Sequence, residues 1–206
     1  MSTSCHSRRR SLLYPGCACR PLRPWVLCIV PLLLSGCLTV ESKEYHVTLK
    51  DDGSGEARIV FRNIQSESDD TTNTTDEDFQ QLVDTYLLGN RFEKDNPGFH
   101  NVRKRLFEEN GKLCGEVSIS FDSLATLRLY RYETDGPLMY FVGSPITSEV
   151  LQGTNGAYGR DWMPVVFWPH DTRELFIKTK IISQASYHRS LLPNFKKWEQ
   201  AGKSQK

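Results

Sequence analysis

Alternating apolar and polar residues early in the chain predict a β-hairpin. The first strand is marked by Tyr45, Val47 and Leu49, and the second by Ala57, Ile59 and Phe61. A period of two is typical of half-buried strands. The residues between them, 51–55, read Asp-Asp-Gly-Ser-Gly and tolerate the positive φ angles of tight turns. We interpret this segment as a turn and not as a calcium loop, because the alternating oxygen ligands and the later glutamate of such a loop are missing.

A longer hydrophobic period predicts one amphipathic helix over residues 76–88. Its single apolar stripe consists of Phe79, Leu82, Val83, Tyr86 and Leu87. One stripe of this kind indicates a helix that lies on a sheet. Thr75 is the predicted N-cap, because the acidic residues 76–78 are favoured by the positive end of the helix dipole. Gly89 is predicted to end the helix. The polar, acidic residues before Thr75, starting at Gln65, predict a mobile loop.

Later apolar runs predict more strands and a second helix. Asn110-Gly111 is a strong turn signal, and apolar positions alternate after it from Leu113 to Phe121. The basic residues 103–105 before this turn are interpreted as a solvated strand face. Further strands are predicted within residues 127–132, 138–142, 163–168 and 174–182, and a C-terminal helix within residues 190–200. The predicted fold class is α+β: a mostly antiparallel β-sheet with one amphipathic helix packed on it and a short C-terminal helix.

The N-terminal region has the pattern of a secretory signal. Residues 25–34 carry neither a charge nor a strongly polar group, and five arginines precede them. This run is shorter than the about 20 apolar residues that a membrane-spanning helix needs, and Pro31 would interrupt a helix. A basic start, a short apolar run and small residues after it are typical of a cleaved export signal.

The end of this region, Leu34-Ser35-Gly36-Cys37, resembles the lipobox of bacterial lipoprotein precursors at all four positions. The resemblance implies cleavage between Gly36 and Cys37 by a type II signal peptidase and a diacylglyceryl group on the Cys37 thiol. Two or three acyl chains on Cys37 would hold the protein on membrane lipid of the cell envelope. Leu38, in place of aspartate, resembles the pattern for export to the outer membrane where an organism has two. The alternatives are a signal that ends in a chance cysteine, or a buried core segment.

These patterns divide the chain into four predicted segments. Residues 1–36 form the signal peptide, whose long basic start indicates a gene start placed too early. Residues 37–42 form the lipidated N-terminus and a short linker, residues 43–200 a single α+β domain, and residues 201–206 a tail. A mature chain of 206 − 36 = 170 residues suits one domain. The lipobox followed by the first hairpin is also similar to small bacterial lipoproteins of the LppM type, which supports a sheet-rich fold and carries no functional residue across.

Composition and motifs restrict the function. The mature chain has 26 − 5 = 21 basic against 25 acidic residues, a mildly acidic balance that disfavours nucleic-acid binding. Only Cys37 and Cys114 remain after cleavage, so an intrachain disulfide is not predicted. The catalytic and nucleotide-binding motifs of common enzyme families are missing, and the histidines are scattered. We therefore predict no catalytic residue, no metal and no cofactor.

One aromatic stretch, residues 153–171, is a candidate binding surface. It follows a glycine-rich loop and combines aromatic residues with arginine, the residue types that concentrate at binding hot spots. The predicted contact residues are Tyr158, Arg160, Asp161 and Trp162, with Val165 and Phe167 in the core. The alternative is that the aromatic residues are all core. Two functions remain open: a non-catalytic lipoprotein that binds another envelope protein, a glycan or a lipid, and a lipid-anchored hydrolase that uses His170 with Asp171 or Asp161.

Overall fold

The computed structural model describes residues 37–142, 149–160 and 162–203. The predicted signal peptide, residues 1–36, lies outside this part of the chain. The described residues form two antiparallel β-sheets and a few short helices, which confirms the predicted α+β fold with a short C-terminal helix.

The strands are, in chain order, β1 (Cys37–Leu49), β2 (Gly55–Ser68), β3 (Phe99–Glu109), β4 (Lys112–Phe121), β5 (Leu129–Tyr130), β6 (Leu138–Phe141), β7 (Glu149–Thr154), β8 (Ala157–Tyr158), β9 (Val165–Trp168), β10 (Glu174–Ile181) and β11 (Tyr187–Ser190). The α-helices are α1 (Thr75–Gln81), α2 (Arg91–Asp95) and α3 (Leu192–Lys203). A π-helix (Leu82–Leu87) continues α1, and a 3₁₀ turn covers Leu124–Leu127. The larger sheet has the order β3-β4-β2-β1-β10-β7, with β11 also beside β2, and the smaller sheet has the order β5-β6-β9-β8.

The first predicted hairpin is formed by β1 and β2. Its residues pair from Leu49 opposite Gly55 to Cys37 opposite Glu67. Gly53 takes a positive φ of 82° in the turn, as the sequence predicts. Because β1 begins at Cys37, the linker predicted over residues 37–42 is wrong, and these residues are part of the strand. The second hairpin is also confirmed, since β3 and β4 are joined at Asn110-Gly111.

The neighbours of β2 change near Asn63. Asn63 has a left-handed φ of 54°, and its side-chain amide donates to the Glu41 carboxylate at 2.9 Å. Up to Phe61, β2 pairs with β4, and from Gln65 onward it pairs with β11. The change of backbone direction at Asn63 allows Phe61 and Ile64 both to pack under the helices.

The hydrophobic core has two parts on one face of the larger sheet. In β4, Leu113 belongs to the part under the helices, and Val117 and Ile119 belong to the part that meets the smaller sheet. Alternate residues of a strand lie on one face, so both parts share that face. The smaller sheet contributes Leu138, Val166 and Trp168 to its part, and α3 contributes Phe195 to the other.

The amphipathic helix is confirmed as α1 and the π-helix together, although its cap differs from the prediction. Thr74 occupies the cap position, and Thr75 is the first helical residue. The Thr74 hydroxyl donates to Asp78 Oδ2 at 2.9 Å, and Ser66 Oγ donates to the same oxygen. All three side chains are buried. These bonds connect the end of β2 to the first turn of α1. The cap residue therefore hydrogen-bonds to the Asp78 carboxylate and not to a backbone amide.

The C-terminal helix is longer than predicted. It extends to Lys203, so residues 201–203 belong to α3 and not to a tail. Leu191, just before the helix, is fully buried, and Phe195 is nearly so. Asn194 donates to Asp76, which links α3 to the first turn of α1.

Candidate binding groove

The structure separates the predicted contact residues of the aromatic stretch. Tyr158 lies opposite Val166 in the smaller sheet and packs half-buried against the core. Trp162 is 81% exposed, and Arg160 is exposed with a φ of 70°. Asp161 lies outside the described residues. Trp162 and Arg160 are therefore the members of the predicted set that the structure places on the surface.

In the next strand, β9, the residues that face the core are not the ones that were predicted. Val166 and Trp168 are buried, whereas Val165 and Phe167, which were predicted as core, are only partly buried. The Trp168 indole Nε1 donates to Asn155 Oδ1 at 2.8 Å, which gives the buried N–H its partner. The predicted loop over residues 153–162 also contains the end of β7 and the whole of β8.

A groove of about 310 Å³ lies between the larger sheet and the π-helix. Its lining side chains are mainly apolar. The helical side contributes Leu82, Tyr86, Leu87 and Phe92, and the sheet contributes Leu38, Phe61, Ile64, Leu106 and Val117. Sites for small ligands have volumes of about 300–1,000 Å³, so this groove is at the small end of that range. The groove was not predicted from the sequence.

Two local features lie at the groove. Gly115 lies in the sheet side of the groove, where a Cβ would be 3.1 Å from Ile64 Cδ1 and 3.5 Å from Leu106 Cδ2. A larger side chain at position 115 would therefore enter the groove. In the π-helix, the backbone N–H of Leu88 donates to the Val83 carbonyl at 2.8 Å, a wider turn than that of an α-helix. Such π-helical turns are rare and occur frequently at functional sites.

The cations beside the groove are bound to carboxylates. Lys104 Nζ donates to both carboxylate oxygens of Glu93, at 2.8 and 3.0 Å, and to the Gly89 carbonyl at 2.6 Å. Arg105 donates to both carboxylate oxygens of Glu116 at 2.9 Å. The hydrogen bond from Lys104 lowers the pKa of Glu93, and the one from Arg105 lowers the pKa of Glu116. The lysine is thus held against the helical segment and is not part of a solvated strand face.

The charge arrangement defines what the groove can bind. The lowered pKa values keep both carboxylates ionised near neutral pH, and each cation already has its anionic partner. A ligand therefore meets apolar side chains with paired charges at one edge. This arrangement is suited to an uncharged apolar group and offers no unpaired cation to a phosphate or a carboxylate.

The described histidines do not form a nucleophile–base pair. His170 is exposed, and the contact it makes is through its carbonyl oxygen, which accepts from Arg131 at 3.0 Å. Ser183 Oγ donates to Glu67 Oε2 at 2.6 Å, and His188 Nε2 lies 3.6 Å from the same oxygen. In a serine hydrolase the hydroxyl donates to the histidine, whereas here it donates directly to the carboxylate. This geometry gives the hydrolase alternative no support.

The described residues offer neither a metal site nor a membrane-spanning helix. Within them, no group of three or more His, Cys, Asp or Glu side chains is placed to hold a metal ion. No described helix is both long and apolar enough to cross a bilayer.

No protein-family model matches the chain, and no curated protein and no solved structure does so either.

Proposed function

We propose that this chain is an envelope lipoprotein, held on a membrane by acyl chains on Cys37, that works as a non-catalytic binding module. Its membrane is the outer one in an organism that has two. The ligand we propose is an unbranched acyl chain or another apolar molecule of similar width, bound in the groove. The observation that carries this proposal is the mainly apolar lining of the groove between the larger sheet and the π-helix.

The lining of the groove supports an apolar ligand over a glycan. A glycan needs hydrogen-bonding groups along the walls, and the charged groups at this edge already bond to each other. Apolar side chains left facing an open groove have no benefit for folding, and contiguous apolar surface of this kind marks binding sites. The small volume favours one chain over a lipid with two chains inside the groove.

A series of fatty acids of increasing length tests the ligand class. Each methylene buried in the groove should contribute about 0.8 kcal/mol, which is about a fourfold gain in affinity. With the unacylated Cys37→Ser chain in vesicle-free solution, titration calorimetry should show this gain per methylene until the groove is full. Beyond that length the affinity should level off. An affinity that does not depend on chain length would rule out burial of the chain in an apolar site.

Two glycine substitutions test whether the ligand lies in the groove. Gly115→Val adds a side chain between Ile64 and Leu106 and should lower the affinity at least about tenfold, since it excludes roughly two methylenes at about 0.8 kcal/mol each. Gly153→Val is the matched control, because a Cβ there meets Phe176 and Lys178 at 3.7 and 3.9 Å, away from the groove. Circular dichroism checks that both variants are folded. Equal affinities in the two folded variants would place the ligand elsewhere.

The anchoring is tested separately. Mass spectrometry of the membrane-extracted protein should show a chain that begins at acylated Cys37, and Cys37→Ser should release the protein or stall the precursor. An unmodified chain that retains residues 25–36 would refute this part of the proposal.

Trp162 favours a second candidate function. An indole that is 81% exposed, close in sequence to an exposed arginine, is suited to contact with another envelope protein or a glycan. Trp162→Ala should then weaken association with the co-purified partner by about 2 kcal/mol or more. An unchanged association would exclude Trp162 as a hot spot.

A further inference from the structure

We infer that the end of the larger sheet at which β1 begins contacts the headgroups of the same bilayer that holds Cys37. We call this surface the anchor edge and define it by Cys37, Ser68, Ile182, Tyr187 and Arg189. The inference rests on the proposed acylation of Cys37. It adds a defined orientation of the domain and names the side chains that meet the lipid.

The first step is that the anchor has no linker. The backbone of Cys37 is paired opposite Glu67, and the next residues of β1 are paired in the same register. Acyl chains on Cys37 therefore hold the sheet itself, and not a flexible tail, at the bilayer surface. The headgroup layer on each side of a bilayer is roughly 5–8 Å deep, and a strand rises about 3.3 Å per residue. Residues within about two strand positions of Cys37 must then lie in or beside that layer.

The second step is the position of Tyr187. It pairs with Ser68, which is one residue beyond Glu67, the partner of Cys37. Tyr187 therefore lies at the level of Cys37 or beyond it along the strand direction. The tyrosine is 41% exposed. Tyrosine rings are enriched at the headgroup level of membranes, where one end of the ring is apolar and the other polar.

The third step concerns the charge beside this ring. The Arg189 guanidinium lies 5.4 Å from the centroid of the Tyr187 ring and donates to Ser68 Oγ and to the Thr71 carbonyl, both at 2.9 Å. Neither acceptor is charged, so these bonds orient the guanidinium without neutralising it. A lipid phosphate can accept hydrogen bonds from a guanidinium placed in this way.

Apolar contact comes from the neighbouring loop. Ile182 is 49% exposed and lines a cleft with Thr39 and Val40 near the start of β1. Asp69 and Asp70 are exposed just after Ser68 and offset the basic charge of Arg189. The contact therefore depends mainly on the tyrosine, and it should persist on zwitterionic lipid.

The test measures distance from the lipid at two positions of the acylated full-length protein in phosphatidylcholine vesicles that carry headgroup spin-labelled lipid. One sample carries a fluorophore at Ile182→Cys. The matched control carries it at Tyr132→Cys, a site that is 89% exposed. Position 132 directly follows residues that lie beside the Asp51–Gly53 turn. That turn is at the far end of β1, about 40 Å from Cys37 along the strand. Cys114 is buried and stays unlabelled. We expect quenching of most of the fluorescence at position 182 and none at position 132.

A second pair of variants tests the tyrosine. With the fluorophore at position 182, Tyr187→Ser should reduce the quenching, and Tyr132→Ser should leave it unchanged. Equal quenching at positions 182 and 132, or quenching that ignores Tyr187→Ser, overturns the anchor edge while acylated Cys37 still supports the proposed function. A chain whose mass shows no acyl group on Cys37 overturns both.

Discussion

Trp168→Ala should destabilise the protein far more than Trp162→Ala. Trp168 is 1% exposed between the two sheets, whereas Trp162 is 81% exposed. Truncating a buried tryptophan costs about 3–5 kcal/mol. The lost indole N–H adds little to this, because Asn155 Oδ1 still accepts from the Phe176 backbone at 2.9 Å. An exposed side chain of this kind changes stability by no more than about 0.5 kcal/mol.

These values translate into melting temperatures. For a chain of this size, 1 kcal/mol shifts the melting temperature by about 2–4 °C. Trp168→Ala should therefore melt roughly 6–20 °C earlier than the parent protein, and Trp162→Ala within about 2 °C of it. Thermal unfolding followed by circular dichroism measures both, and Phe167→Ala, on the partly exposed side of β9, should fall between them. If Trp162→Ala melts as early as Trp168→Ala, the assignment of inner and outer residues in this stretch is refuted.

Two further predictions concern the helix cap and the charged sheet face. Thr74→Ala should lower the free energy of unfolding in urea by about 1–3 kcal/mol, because buried Asp78 loses a donor. Thr75→Ala should change it by no more than about 0.5 kcal/mol. Equal losses in the two variants would contradict the observed cap. Hydrogen bonds from Arg105 hold the pKa of Glu116 below its ordinary value of 4.5, so their stabilising contribution is complete above pH 4.5 and is lost as the pH falls through the lowered pKa. Urea titrations from pH 6 to pH 3 should show this loss, and Arg105→Gln should make it smaller; an unchanged pH profile in that variant would exclude the pair as its cause.

The two hairpins and the amphipathic helix could be predicted because their signals are local. Asn110-Gly111 fixes a turn by its own backbone preferences, and the stripe from Phe79 to Leu87 needs no partner to be recognised. β11 could not be predicted in this way. Its residues, Tyr187–Ser190, lack an apolar alternation, and they pair with the part of β2 that extends past the start of β4 at Lys112. The start of β1 did carry a signal, since Leu38 and Val40 alternate with polar neighbours, but the lipobox beside them favoured a linker.

The groove could be predicted only in part. Gly115 occupies an inward position of an otherwise apolar alternation, and a glycine inside a strand often marks a close approach or a ligand. That signal was present in the sequence. The π-helix was not predictable, because Leu82, Val83, Tyr86 and Leu87 fit an ordinary α-helical stripe equally well. The groove also depends on residues from four strands and two helical segments, which only the tertiary structure brings together.

Leu38 connects the groove to the anchor, and this has a measurable consequence. It follows Cys37 directly and lines the groove. With the proposed acyl chains on Cys37, the proposed binding site would lie beside the apolar interior of the bilayer. Lipid tails are as apolar as leucine side chains, so a methylene that moves from the bilayer into the groove gains almost nothing, whereas one that moves from water gains about 0.8 kcal/mol. The steep dependence of affinity on chain length should therefore appear with the unacylated Cys37→Ser chain in vesicle-free buffer and nearly vanish with the acylated protein on vesicles. An equally steep dependence on chain length with the protein on vesicles would refute this reasoning. Burial in an apolar groove would then not explain the affinity.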